Sequence, residues 1–228
     1  MIKPKASFLI VISFMLISIF GYSADKFPQK YGTNLYGTLY NHRHNYDGSA
    51  YLYDNWLYGG IFLENGTEAT NVLLRYDMLE DNVVFYHEKE KLLFAVDKST
   101  VKSFYLIKND RDTVFFQKHQ GKKIDSRIQN NDYLQILYKG KLQFIARHNA
   151  IISLATDSKT QDEIIQQHFY YLKKDNRYYE IDLNYRSLFK LFPDRKKEIK
   201  KLIKKNYLRR RKESNMAELI SLIDQSRL

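Results

Sequence analysis

The sequence predicts an α+β chain: a predominantly antiparallel β body, folded as a sandwich or partly open barrel, with C-terminal helices. Three observations predict it. Over residues 51–185, short runs of aromatic and β-branched residues alternate with turn dipeptides, as in strands joined by tight turns. Those runs follow one another too closely for crossover helices, so neighbouring strands should be antiparallel. Over residues 186–228 the apolar spacing changes from the period of a strand to that of a helix.

Residues 1–24 have the order of a secretory signal peptide. Lys3 and Lys5 precede an apolar run from Phe8 to Phe20, and Gly21-Tyr22-Ser23-Ala24 supplies small residues for cleavage. The run is 13 residues long, short of the roughly 20 that a spanning helix needs; the competing reading is an uncleaved anchor. Residues 25–50 are rich in Tyr and Asn and carry a near-repeat, Tyr31-Gly32-Thr33-Asn34-Leu35 and Tyr36-Gly37-Thr38-Leu39-Tyr40. Two short copies do not make a repeat fold. This segment reads as irregular or weakly extended chain wrapping a sheet edge.

The first hairpin runs Trp56–Leu63, Asn65-Gly66, Thr67–Tyr76. Asn-Gly is favoured at the centre of a type I′ turn. That turn sets Leu57 opposite Leu74, Gly59 opposite Val72 and Ile61 opposite Thr70. On the other face it sets Tyr58 opposite Leu73, Phe62 opposite Ala69 and Trp56 opposite Arg75. Both faces are partly apolar, which fits a sheet covered twice or closed on itself. Strand-like runs follow at Asn82–Tyr86, Lys91–Val96, Val101–Ile107 and Thr113–Gln117. Two more hairpins turn at Lys139-Gly140 and Asp175-Asn176; in the second, Leu172 faces Tyr179 and Tyr170 faces Ile181.

Pro193-Asp194 opens a helix with Ile199, Leu202 and Ile203 on one stripe, ended by Asn206. A second helix from about residue 215 to residue 225 carries Leu219, Leu222 and Ile223. The net charge of +11 concentrates here: residues 193–214 hold eleven Lys or Arg against three Asp or Glu, a net of +8. Lys200, Lys201, Lys204, Lys205, Arg209, Arg210 and Arg211 are the candidate contacts with an anionic surface, either acidic lipid or an acidic partner. The competing reading is a solvated helix face. Nucleic acid fits the charge, but export argues against it.

Nothing in the sequence names a reaction. With no cysteine there is no disulfide, thiolate metal site, thiol nucleophile or lipid-bearing cysteine. His42 and His44 could share one face of a strand, yet no third ligand stands at metal spacing. Glu88, Glu90 and Asp81 sit in turns without marking an acid pair, and no phosphate loop or nucleophile elbow is present. No catalytic residue, metal ligand or cofactor is assigned. Trp56, Tyr58 and Phe62 lie on one face of the first hairpin. Exposed, they would form an aromatic platform; as a second core layer, the favoured reading, they would let Arg75 stack on the indole.

A pattern links these parts. Trp56, Gly59, Ile61 and Leu63 before Asn65-Gly66, then Leu74-Arg75-Tyr76-Asp77, and a closing helix from Phe192 to Asn206 resemble a group of uncharacterised exported bacterial proteins with no assigned activity. The resemblance transfers no catalytic residue. The expectation is an exported, non-enzymatic binding or structural protein of the bacterial envelope, in the periplasm or at the membrane periphery, with a protein or envelope component as partner. The alternatives are an envelope hydrolase with an unrecognised carboxylate pair and a carbohydrate-binding module using its aromatics.

Overall fold

A computed structural model of the chain describes residues 35, 37–41, 46–109, 112–121, 123–155, 161–208 and 211–226. Residues 1–24, read above as a signal peptide, lie outside the described residues. Eleven strands form one open antiparallel sheet, followed by three helices. The strands are β1 (Gly37–Leu39), β2 (Leu57–Leu63), β3 (Glu68–Asp77), β4 (Asn82–His87), β5 (Leu92–Val96), β6 (Val101–Asn109), β7 (Asp112–Lys118), β8 (Tyr133–Lys139), β9 (Gln143–Ser153), β10 (Glu163–Lys174) and β11 (Arg177–Ile181). The helices are α1 (Tyr185–Leu191), α2 (Lys196–Lys205) and α3 (Glu213–Gln225).

The spatial order is β1-β5-β4-β3-β2-β6-β7-β8-β9-β10-β11. The chain winds out from β2 to β5, then returns to the far side of β2 and winds out again to β11. That return forces the sheet to curl. β5 and β6 are separated by three strands, about 19 Å across a flat sheet at roughly 4.8 Å per strand. The link from Val96 to Val101 reaches at most about 18 Å when fully extended, and its residues Lys98–Thr100 form a 3-10 turn. The edges must therefore bend toward each other.

The segment before β2 completes the curl. Asp47 makes a parallel bridge with Glu163 of β10, and Tyr51 an antiparallel bridge with Asp77 of β3. The Ile164 amide donates to the Asp47 carbonyl at 2.7 Å, and the Met78 amide to the Ala50 carbonyl at 2.8 Å. Gly48 permits the join: its φ is +85°, and a Cβ there would lie 2.6 Å from the Ile164 carbonyl oxygen. β1 pairs with β5, so the expected wrapping of a sheet edge is present in this one short strand.

The curl encloses a core of Ile61, Leu74, Tyr76, Phe104, Phe116 and Tyr133, in which the Phe104 and Phe116 rings stack at 4.5 Å. The strands β8–β11 are covered on both faces. Phe144 and Leu172 pack on the helices through Leu188, Ile199, Met216, Leu219, Ile220 and Ile223. Their alternates Ile145 and Tyr171 pack under Ile128, in the loop before β8. Asp224 ties α3 to the β8–β9 connection, accepting from the Tyr138 hydroxyl at 2.9 Å and the Lys141 amide at 2.8 Å.

Several sequence expectations shift by a residue or two. In the first hairpin Leu57↔Leu74, Tyr58↔Leu73 and Gly59↔Val72 pair as expected, but Ile61 pairs with Ala69 and Phe62 with Glu68. The turn is not type I′. Asn65 keeps a negative φ, Gly66 takes φ +85°, and the loop is three residues long, with the Leu63 amide donating to the Thr67 carbonyl. A bulge at Asn71, φ +56°, absorbs the extra residue and restores the register. Lys139-Gly140 likewise gives way to a loop over residues 140–142, closed by Lys139↔Gln143. The α3 stripe is Met216, Leu219, Ile220 and Ile223, with Leu222 only half-buried. The helix α1, capped by Asn184 Oδ1 on the Arg186 amide, follows β11 closely and precedes the helix expected from Pro193.

Candidate functional sites

A cavity of about 310 Å³ opens where the segment before β2 crosses from β10 to β3, lined by Tyr40, Tyr46, Ser49, Asp54, Arg75 and Asp77 among others. Arg75 alternates with the buried Leu74 and Tyr76 on β3, so its side chain leaves the core. Its guanidinium lies over two rings, 4.8 Å from the Tyr51 centroid and 4.6 Å from that of Trp56, and hydrogen-bonds the Tyr51 hydroxyl. Among the described residues it forms no ion pair, and its Nε is buried without a hydrogen-bond partner. Asp77, in contrast, is saturated. Its Oδ1 accepts from the Leu79 and Glu80 amides at 2.9 and 3.1 Å, and its Oδ2 from the Tyr40 hydroxyl at 2.7 Å. The Tyr51 hydroxyl donates in turn to that of Tyr40, at 3.2 Å. Burial, with these two hydroxyl partners, pushes the Tyr40 phenol far above its ordinary pKa. Asp54 is an exposed carboxylate on the rim.

A second polar cluster is buried where β3 and β4 meet β8 and β9. Asp81 Oδ1 accepts from the Tyr76 hydroxyl at 2.5 Å and Arg147 Nη1 at 3.2 Å. Its Oδ2 accepts from Lys98 Nζ at 2.5 Å and the Tyr133 amide at 3.3 Å. Burial raises the carboxyl above its ordinary pKa, and the Arg147 and Lys98 charges pull against the rise. Beside it His148 Nε2 meets Gln135 Oε1 at 2.5 Å and His148 Nδ1 meets His168 Nδ1 at 2.8 Å. An amide oxygen only accepts, so His148 carries its proton on Nε2 and receives one from His168 on Nδ1. Desolvation holds His148 at about 3 and lowers His168 as well.

The third feature is the solvent face of α2. Its stripe docks as expected, with Ile199 buried and Leu202 and Ile203 partly buried. Lys196, Lys197, Lys200, Lys201, Lys204 and Lys205 are all exposed, as are Arg211 and Lys212. The one acid on the helix, Glu198, is held by Arg195 through two contacts of 2.9 Å. The helix ends in a Schellman motif, the Leu208 amide donating to the Ile203 carbonyl at 3.0 Å. The left-handed position that usually takes glycine is filled by Tyr207, φ +56°, and its side chain stands 85% exposed.

The candidates read from the sequence are thus separated by the fold. Lys200, Lys201, Lys204 and Lys205 lie on the exposed side of α2 and Arg211 is exposed beyond it; Arg209 and Arg210 lie outside the described residues, as do His42 and His44. The aromatic row is not a second core layer, because Tyr58 is 48% exposed. Trp56 turns to Arg75 and Tyr86, while Phe62 leans on Tyr105, which meets Phe115. Stacking of Arg75 on the indole is present. The cavity was missed because Tyr40, Tyr46 and Asp54 carry no motif; only the Trp56–Arg75 pairing pointed toward it. Among the described residues no three His, Asp or Glu side chains could hold a metal ion, and no helix is long and apolar enough to cross a membrane. Comparison with family models, curated proteins and solved structures finds no match to the chain.

Proposed function

We propose that the chain is an exported, non-enzymatic binding protein of the bacterial envelope that rests on an anionic lipid surface through the exposed face of α2. The observation that carries this reading is the unopposed charge: six lysines of one ten-residue helix face solvent, and its single acid is already paired. Basic residues near an anionic membrane contribute about 1 kcal/mol each. Tyr207 adds to this. A bulky residue in a left-handed conformation costs roughly 1–2 kcal/mol, and here the side chain gains no packing in return. A phenol at the end of a lysine face suits the headgroup region, where amphipathic rings settle. The signal-like order of residues 1–24 and the resemblance to exported bacterial proteins support the export.

Two measurements test this. N-terminal sequencing of protein from the envelope fraction should begin at Ala24 or Asp25; an intact Met1 defeats cleavage. Co-sedimentation with phosphatidylglycerol vesicles should be strong at low salt and lost at 1 M, where the Debye length is about 3 Å. It should also be lost when Lys200, Lys201, Lys204 and Lys205 are replaced by glutamate. Tyr207→Gly should weaken it while raising the unfolding midpoint. Equal sedimentation of wild type and the reversed variant defeats the reading. So does binding to the envelope fraction but not to lipid, which would indicate an acidic protein partner.

A further inference from the structure

We infer that the cavity at the junction of β3 and β10 is a binding site for a small carboxylate that also carries hydrogen-bond donors, the chemistry shared by sugar acids and amino acids. The inference is independent of the lipid contact. It starts from which charges in the cavity remain open. Asp77 already accepts three hydrogen bonds, so it has little left to offer a ligand. Arg75 is different. Its guanidinium carbon lies 4.8 and 4.6 Å from the Tyr51 and Trp56 ring centroids, its one side-chain hydrogen-bond partner is the Tyr51 hydroxyl, and no carboxylate of a described residue pairs with it. A guanidinium held this way presents its N–H edge as a fork, the geometry that matches a carboxylate. Leaving such a cation unpaired in a half-buried place is costly for a purely structural residue.

The second open charge is Asp54 on the rim, which asks for donors. Tyr46, Ser49 and Ile164 also line the cavity. A ligand with its carboxylate at Arg75 and hydroxyl or ammonium groups toward Asp54 would satisfy both charges. About 310 Å³ is at the small end of ligand cavities, enough for one sugar ring or one amino acid.

The site carries its own reporter, because Trp56 is the only tryptophan of the chain and lies against Arg75. Its fluorescence should change saturably on titration with D-glucuronate, L-glutamate or both, the difference between the two arms showing which scaffold is preferred. D-glucose, which has donors without a carboxylate, and acetate, which has a carboxylate without donors, should bind at least tenfold more weakly. Arg75→Lys keeps the charge but loses the fork and should weaken binding by about tenfold or more. Asp54→Asn, an exposed change that leaves the fold alone, should weaken it severalfold. The inference is overturned if neither glucuronate nor glutamate gives a saturable change, if glucose or acetate binds equally well, or if folded Arg75→Lys and Asp54→Asn proteins both bind like wild type.

Discussion

Two places in this molecule set an arginine beside an aspartate and a tyrosine, and they end in opposite states. Around Asp81 both oxygens are filled by four donors, two of them cationic, and the carboxyl is buried. Around Arg75 the nearby acid is satisfied by backbone amides and a phenol, so among the described residues the cation has two rings and the Tyr51 hydroxyl beside it and no carboxylate partner. The difference follows from position. Asp81 stands in the β3–β4 turn with φ +48°, its side chain covered by β8 and β9. Arg75 sits on the outward-facing alternation of β3, where only the crossing segment covers it. The first arrangement holds strands together; the second keeps hydrogen-bonding capacity open toward a cavity.

The largest expected effect separates the two directly. Asp81→Asn keeps the shape and the left-handed tolerance but removes the carboxylate shared by Arg147 and Lys98, leaving Arg147 only Asp132, and should cost about 3 kcal/mol in urea unfolding. Arg75→Gln loses the ring contacts and the hydrogen bond to Tyr51 but breaks no ion pair of a described residue, and should cost about 1 kcal/mol. Equal losses would erase the distinction drawn here.

Next comes pH. His148 is held neutral at about 3 in the fold, below the 6.5 of an ordinary imidazole. The unfolded chain therefore binds the extra proton, and the stability present above pH 6.5 should fall as pH drops toward 3, by roughly 1.4 kcal/mol per unit. His148→Gln should flatten that slope in midpoints measured from pH 7 to pH 4. A slope unchanged in this variant would place the titration elsewhere.

Gly48→Ala tests the cover over Arg75 alone. A methyl group 2.6 Å from the Ile164 carbonyl oxygen, at φ +85°, should cost about 1–3 kcal/mol. Hydrogen exchange of the Ile164 amide should quicken, and exchange around Asp81 should not. The smallest change lies away from both places. At Gly66 a Cβ meets nothing within 4 Å, so Gly66→Val pays only for its positive φ, about 1 kcal/mol. A larger loss in thermal unfolding would mean that the turn steers the whole β2–β3 pairing.

The two hairpins show how much of this was legible in the residues. Asp175 and Asn176 both take positive φ, the type I′ geometry that their identity favours, and Leu172↔Tyr179 and Tyr170↔Ile181 pair as expected. Asn65-Gly66 offers the same chemistry, yet only Gly66 turns left-handed. A three-residue loop there puts Ile61 opposite Ala69 on the core side, and the bulge at Asn71 returns Val72 and Leu74 to that side. Local preference could not reveal this, because the bulge is chosen by what both ends must bury. The lysine face was legible for the opposite reason: it depends on spacing within one helix. The cavity joins Tyr40, Asp54, Arg75 and Ile164, which only the curl of the sheet brings together.

The crossing segment also says something about time. Asp47 and Glu163 are remote in sequence, and their bridge cannot form until the intervening strands have brought β10 near β3, whereas the Tyr51–Asp77 bridge needs only the β2–β3 hairpin. Loop closure of that length is slow to be rewarded. The join to β10 should be absent from the folding transition state and present only in the finished protein. Residues there then govern how long the native state survives rather than how quickly it is reached. In a chevron plot Gly48→Ala should lift the unfolding arm and leave the refolding arm in place, so the same few residues that roof the cavity would also set the lifetime of the fold.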